Sequence, residues 1–271
     1  MLKLLRLLRA FLVRDFLTEV SYRFAFLASL GGVFLNTLTF FFVSSLVNEA
    51  TSPMVLAQTQ GDYFSFVLIG IAFGGYFGVG LRGFAGALRN TQVTGTLEAM
   101  IMTPTPVTQI ILGSAVWSYA FTTFRVLLYL GLGVLLGLSF SGANYLGALV
   151  SLTLAIVAFA SLGIMAASVI MVIKRGDPVT GLFNGFANLI GGVFYPVEAL
   201  PAWLQTLSKA LPITYALHAM RLALLSDASW SELAPDLLTL ALFCVGLFPL
   251  SLLMFRLAVE RARQDGSLAQ Y

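Results

Sequence analysis

The alternation of long apolar runs with short polar segments predicts a bundle of membrane-spanning helices. A helix needs about 20 apolar residues to cross the hydrocarbon core of a bilayer. Six segments reach or approach that length: Phe24–Val47, Tyr63–Leu81, Leu112–Leu138, Leu146–Ile173, Val179–Tyr195 and Asp236–Phe255. The fifth is the shortest and runs directly into a stretch interrupted by prolines. We therefore predict an all-α integral membrane protein in which residues 24–255 form six transmembrane helices.

Residues 1–23 show a different pattern, that of an amphipathic helix. Apolar side chains recur at helical spacing, and Lys3, Arg6, Arg9 and Arg14 are interspersed among them. A helix of this kind lies in the membrane interface, with its basic groups towards anionic lipid headgroups. It serves either as a plain anchor or as a contact for a partner subunit, and the pattern leaves both possibilities open.

The stretch 196–225 is apolar but broken. Its leucines follow three-to-four spacing up to Leu211, and Pro212 then interrupts the helical run. We predict two short outer helices here, either re-entrant or capping the outer leaflet. A complete seventh span would place the basic C-terminal residues outside, against the positive-inside rule.

The composition supports the membrane assignment. Hydrophobic residues make up 59% of the 271 residues, charged residues make up 10%, and the mean hydropathy is +0.92. Soluble domains average about 45–50% apolar and about 25% charged residues. A soluble chain of this length could not bury so much apolar surface. The single cysteine, Cys244, excludes a disulfide framework and a CxxC motif.

The distribution of the 15 basic residues predicts the orientation. Only Lys209 and Arg221 fall in outer loops and Arg125 falls within a span, so the other twelve lie on the side of the N-terminus. This excess predicts that both termini are cytoplasmic and that residues 256–271 form a cytoplasmic tail. We place the protein in a plasma membrane. Because the basic residues flank spans, the charge does not indicate a nucleic-acid partner.

Two glycine patterns occur near the end of the second span. Residues 78–83 match GxGxxG, but a dinucleotide-binding loop needs a strand before the motif, and here a membrane span precedes it. Gly70, Gly74 and Gly78 instead form a small-xxx-small ladder on one helix face, which predicts close helix packing.

No catalytic or metal-binding motif is present in the sequence. There is no GxxxxGK[ST] phosphate-binding loop, so ATP-driven work would need a separate chain. His218 is the sole histidine and is predicted to be an ordinary helix-face residue. We therefore predict no enzymatic activity, no metal site and no cofactor in this chain.

The third predicted span contains a charged residue, Arg125. A cation at that depth either faces a bundle interior or wet cavity, or snorkels to the interface if the span begins later. Both readings stay open. The spans hold no lone carboxylate, which argues against a proton-coupled antiporter. Aromatic residues form either a path for lipophilic cargo or ordinary lipid-facing surface: Phe40, Phe183, Phe186, Phe194 and Tyr195.

The segment 95–109 is too polar to cross a bilayer and too apolar for an ordinary solvated loop. It contains Thr103-Pro104 and one acid, Glu98, the only acid between Asp62 and Asp177. Glu98 either stabilises a short helix through the helix dipole or pairs with an arginine of a partner protein. The two roles are compatible.

These segments resemble the permeases of ABC-2-type exporters. The run Gly95-Thr96-Leu97-Glu98-Ala99, Thr103-Pro104 and the run 109–113 are similar to the family's region between spans two and three. The runs 191–196 and 211–216 are similar to its fifth span and outer re-entrant helices. The resemblance covers essentially the whole chain.

The resemblance implies a permease subunit that works with a separate ABC ATPase subunit, which binds the ATP, and with a second permease copy, identical or paralogous. The coupling region would be 95–111, with ATPase contacts at Gly95, Thr96, Leu97, Glu98, Thr103 and Pro104. The implied cargo is a lipophilic small molecule or drug, or a lipid-linked glycan. A secondary transporter and a non-transporting membrane scaffold are the alternatives.

Overall fold

The computed structural model describes residues 2–50, 62–93, 107–173 and 177–264. Within these ranges the regular structure is helical, with one short 3-10 turn at Val197–Ala199. The α-helices are α1 (Leu2–Ser21), α2 (Arg23–Ala50), α3 (Tyr63–Val93), α4 (Val107–Leu135), α5 (Tyr145–Ile173), α6 (Asp177–Ile190), α7 (Ala202–Ser208), α8 (Pro212–Leu225) and α9 (Trp230–Gln264).

Among the described residues, five helices are long and apolar enough to cross a membrane. The candidate spans lie in α2, α3, α4, α5 and α9, at Arg23–Val47, Tyr63–Phe84, Ala115–Leu135, Tyr145–Met171 and Trp230–Arg261. Over this part of the chain, the helical, multi-pass architecture agrees with the prediction from the sequence. The orientation of the bundle and the interfacial location of α1 stay predictions.

The predicted fifth span, Val179–Tyr195, is wrong as a single helix. Its helix, α6, ends at Ile190 because a turn follows, in which Gly192 adopts a φ of +82° that favours glycine. At 14 residues, α6 extends about 21 Å, short of the roughly 30 Å hydrocarbon core. The described helix alone is therefore too short to span.

The centre of the bundle is α3. Its membrane-span window is 78% buried, whereas the windows in α2 and α9 are 11% buried. Apolar residues of α3 such as Leu68, Ile69 and Phe77 are fully enclosed by the other helices. Of the long helices, α3 is therefore the one most enclosed by the rest of the bundle.

Glycines allow α3 to approach its neighbours closely, as the ladder predicted. A Cβ atom on Gly70 would lie 2.1 Å from the carbonyl oxygen of Val193. Cβ atoms on Gly74 and Gly78 would lie 3.3 and 3.2 Å from the Oδ1 atoms of Asn188 and Asn184. Since the GxGxxG match lies inside α3, it lacks the strand that a nucleotide-binding loop requires.

The outer segment folds as two short helices, as its pattern predicted. α7 ends at Ser208, and α8 begins with Pro212 at its first turn, where a missing N–H is tolerated. Leu211 before it is extended, with φ −106° and ψ 127°, as expected before proline. The position of both helices relative to the membrane stays a prediction.

The N-terminal helix α1 packs against α4. The ring of Phe11 covers Gly113, where a Cβ atom would lie 2.6 Å from its Cδ2 atom. The rings of Phe16 and Trp117 meet edge to face with centroids 5.7 Å apart. The amphipathic helix is thus attached to the bundle by aromatic contacts.

Candidate functional site

A cavity of about 1000 Å³ lies among α1, α2, α3, α4 and α6. Its lining combines arginine, asparagine and aromatic side chains with a glycine-rich wall. The lining includes Arg14, Asp15, Glu19, Asn36, Phe40, Arg82, Trp117, Arg125, Tyr129, Asn184, Asn188 and Phe194. A cavity of this size inside a membrane bundle, with both polar and apolar lining, is the main candidate for a functional site.

One face of α4 forms a polar wall of the cavity. Ser118, Thr122, Arg125 and Tyr129 all line it, and their spacing of three and four residues places them on one side of a helix. Gly74, Gly75 and Gly78 of α3 line it as well. Gly74 and Gly78 lie against the asparagines of α6, whereas a Cβ atom on Gly75 would have its nearest neighbour, Thr122, 3.7 Å away.

Arg125 lies within the apolar part of α4. It is ten residues from Leu135, the C-terminal end of the helix, about 15 Å at the helical rise. Its Nε atom has no hydrogen-bond partner in the part of the chain that the structure describes. Whether Arg125 faces the bundle interior or snorkels to the interface stays a prediction.

Two asparagines on α6 face the cavity from the other side. Asn184 and Asn188 are four residues apart and both line it. The amide nitrogen of Asn188 donates to the backbone oxygen of Asn184 at 2.7 Å. The Oδ1 atom of Asn184 is buried and has no hydrogen-bond partner among the described residues. Amide side chains of α6 therefore contribute to the polar part of the lining.

Aromatic rings line part of the same cavity. Phe40 on α2 stacks on Phe194, with centroids 5.9 Å apart and ring planes at 19°, and both line the cavity. Of the described residues named above as a possible path, Arg125, Phe40 and Phe194 are thus brought together. Phe183 and Phe186, on an exposed face of α6, and Tyr195 are not among the lining residues.

The predicted coupling residues lie outside the described part of the chain. They are Gly95, Thr96, Leu97, Glu98, Thr103 and Pro104. The helices that flank this segment, α3 and α4, both line the cavity.

Comparison with known proteins identifies the family. The sequence profile described as ABC-2 type transporter matches residues 6–225, most of the chain. The chain belongs to the ABC-2 type transporter family. The "Probable multidrug ABC transporter permease YbhR" of Escherichia coli K12 is 29% identical over 154 residues, 54% of this chain and 41% of the relative. The protein of the same name from E. coli O157:H7 matches equally well. The match thus spans less than half the length of these relatives.

A buried arginine of this ABC-2 family chain, Arg221, was not singled out by sequence reasoning. It lies on α8 and is 7% exposed. Its Nε donates to the carbonyl oxygen of Phe66 at 3.2 Å, and one terminal nitrogen donates to those of Gly192 and Val193 at 2.8 and 3.2 Å. Its guanidinium carbon also lies 3.4 Å from the ring centroid of Phe66, a cation–π contact.

The environment of Arg221 fixes α8 to α3 and to the turn after α6. Burial lowers the pKa of Arg221 to about 9, so the side chain stays charged at neutral pH. Leu217 and Leu224, at helical spacing on either side of Arg221, are buried as well. An arginine within an apolar helical stripe was the sequence signal that could have revealed this site.

His218 on α8 is paired with an acid on α9. Its Nδ1 atom lies 2.6 Å from Oδ2 of Asp236. That hydrogen bond raises the pKa of His218, whereas partial burial opposes the rise. The histidine is exposed on the helix, as predicted, and it also links the outer helix to the last span.

Proposed function

We propose that this chain is the permease subunit of an ATP-driven ABC exporter in a bacterial inner membrane. The single observation that carries the proposal is that the cavity lies among helices of the region that matches the ABC-2 type transporter family. A cavity lined by an arginine within a candidate span suits the translocation path of a transporter. The cargo class we propose is a lipophilic small molecule or a lipid-linked glycan.

The energy for export comes from another polypeptide in this proposal. The sequence contains no phosphate-binding loop of the GxxxxGK[ST] type, so an ABC ATPase subunit would bind the ATP. Region 95–111 is the proposed contact with that subunit, with Glu98 as its charged group. Because α3 and α4 flank this region and both line the cavity, movement there would be passed to the path.

A second permease copy completes the proposed transporter. ATPase closure would rock the two permease halves and open the path outward. Six spans and two cytoplasmic termini remain part of the proposal, which requires the segment around α6 to complete the fifth crossing. The E. coli relatives bear the description of a multidrug ABC transporter permease, which favours a small lipophilic cargo over a glycan.

Affinity purification of the tagged full-length protein from its native membranes tests the proposal. We expect a P-loop ATPase to co-purify, and the complex to export cargo from vesicles only with ATP. Glu98→Arg should uncouple ATP hydrolysis from export while the protein still inserts. Glu260→Arg is the matched charge reversal, since Glu260 is an exposed acid of α9.

Two results would contradict the proposal. Transport by the purified chain in vesicles without ATP would indicate a secondary transporter. Native purification that yields no ATPase, together with no transport under any condition, would indicate a membrane scaffold. Normal export by the Glu98→Arg complex would contradict only the role of Glu98.

A further inference from the structure

We propose that the cavity binds the anionic headgroup of an amphipathic cargo, a phosphate or carboxylate, through Arg125. The proposal rests on the function proposed above, because it treats the cavity as the cargo site. It adds the chemical class of the cargo, which the family membership does not give.

The first step in the argument is the missing partner of Arg125. A cation within a membrane span is unfavourable unless it is paired or hydrated. Nevertheless, among the residues that the structure describes, the Nε atom of Arg125 has no hydrogen-bond partner, and no acid lies within ion-pair distance of its side chain. Arg125 is also one of the residues that line the cavity. Its charge is therefore not neutralised by a described acid, and arginine donors bind carboxylate and phosphate in a forked, bidentate geometry.

The second step is the distribution of charge around the cavity. Among the lining residues, three arginines face two acids, Asp15 and Glu19. Both acids belong to α1, and Asp15 already pairs with Arg14 at 2.7 Å. Neither acid is on α4, the helix that contains Arg125. A cationic cargo would meet an unpaired arginine there, whereas an anionic cargo would neutralise it.

The third step is the rest of the lining, which suits an amphipathic molecule. The stacked pair Phe40 and Phe194 and the indole of Trp117 offer apolar surface. Asn36, Asn184 and Asn188 add amide groups to the same lining, which suit the polar part of a cargo molecule. Together these residues could contact a tail and a polar head at the same time.

Quenching of Trp117 fluorescence tests the proposal directly. Trp203 and Trp230 are exposed, at 65% and 51%, so Trp203→Phe and Trp230→Phe leave Trp117, which lines the cavity, as the single indole. The full-length protein in zwitterionic nanodiscs is titrated with bromoundecyl phosphate and with bromoundecyltrimethylammonium, which share a quenching tail and differ in head charge. Inorganic phosphate is a third probe.

We expect saturable quenching by the alkyl phosphate, about tenfold tighter or more than by the alkyl ammonium. Arg125→Gln should weaken phosphate binding about tenfold or more, as expected for the loss of charge-assisted hydrogen bonds. Arg125→Lys should retain part of the affinity, which shows that loss in Arg125→Gln is not misfolding. Arg256→Gln, which removes an exposed arginine outside the cavity, should bind like the parent protein.

Equal quenching by the two head groups would overturn the proposal, as would unchanged phosphate binding by Arg125→Gln. Competition by inorganic phosphate at the same concentration as the alkyl phosphate would show a site for free anions, and would contradict the amphipathic cargo. The test is separate from the proposed function. If the chain binds the alkyl phosphate but no ATPase co-purifies with it, only the proposed exporter function is contradicted. If the chain is an ATP-driven exporter but binds the alkyl phosphate no more tightly than the alkyl ammonium, only the proposed anionic cargo is contradicted.

Discussion

Two arginines in this protein have opposite surroundings. Arg221 is buried, donates to three backbone carbonyl oxygens and lies over the ring of Phe66. Arg125 is half-buried within a candidate span, and its Nε atom donates to no group among the described residues. The same side chain is therefore part of the scaffold at one place and available for binding at the other.

The difference between the two arginines suggests separate roles, one in stability and one in ligand binding. A buried charge that donates hydrogen bonds to several elements stabilises their packing, and its loss leaves acceptors unpaired. A charge without partners inside a membrane bundle is a stability cost, which a protein retains at sites where a ligand supplies the missing partner. On this reasoning, α8 and the turn after α6 belong to the structural scaffold, and the cavity-lining face of α4 is the proposed binding surface.

The largest expected effect is that of Arg221→Leu. It removes the donor to three carbonyl oxygens, so the free energy of unfolding should fall by about 3 kcal/mol or more. Thermal unfolding of the purified protein in detergent measures the change. Lys209→Ala, at an exposed position next to α7, is the control and should unfold like the parent. A loss no larger than that of the control would show that Arg221 is not part of the scaffold.

A smaller loss is expected from Gly70→Ala, on the wall of α3 nearest Arg221. The added methyl group would lie 2.1 Å from the carbonyl oxygen of Val193 and 2.6 Å from Arg221, so overpacking should cost about 1–3 kcal/mol. Gly75→Ala is the matched change on the cavity side of the same helix, where the nearest atom is 3.7 Å away. It should unfold within about 0.5 kcal/mol of the parent. Equal losses would contradict the distinction between the two sides.

The smallest expected effect comes from the pair His218 and Asp236. Because the folded-state pKa of His218 lies above its ordinary value of 6.5, its stabilisation is fully present below about pH 6.5. It is lost as the pH rises through the raised value. The effect should stay below about 1 kcal/mol, since the histidine side chain is 61% exposed.

His218→Gln should flatten this part of the pH profile of thermal unfolding. The charged groups that act on the histidine are Asp236 and Glu198, which raise its pKa, and Arg221, which lowers it. Asp236→Asn should flatten the profile too. A stability that still falls across the same pH window in both variants would assign the dependence to another group.

Much of the helical framework could be predicted from the sequence. Long apolar runs predicted six spans, and five of them correspond to described helices that are long enough to cross a membrane, because backbone groups in lipid must form their hydrogen bonds within the helix. Pro212 predicted the start of α8 because proline is favoured in the first helical turn. The ladder of Gly70, Gly74 and Gly78 predicted close packing, since only glycine permits such an approach.

The parts that escaped prediction depend on contacts between distant segments. The end of α6 at Ile190 follows from the turn at Gly192, which an apolar pattern does not reveal. The burial of Arg221 depends on carbonyl groups from α3 and from the turn. The sequence also does not reveal which aromatic residues line the cavity. Phe40 and Phe194 line it, whereas Phe183 does not.

The most direct test of the difference between the two arginines is the melting temperature of Arg125→Gln without added ligand. If the donors of Arg125 are reserved for a ligand, removing the charge takes away no internal bond. The account predicts a melting temperature equal to or above that of the parent protein, while Arg221→Gln melts several degrees lower. A fall in Arg125→Gln as large as that in Arg221→Gln would contradict the account, because it would mean that both arginines hold the fold together.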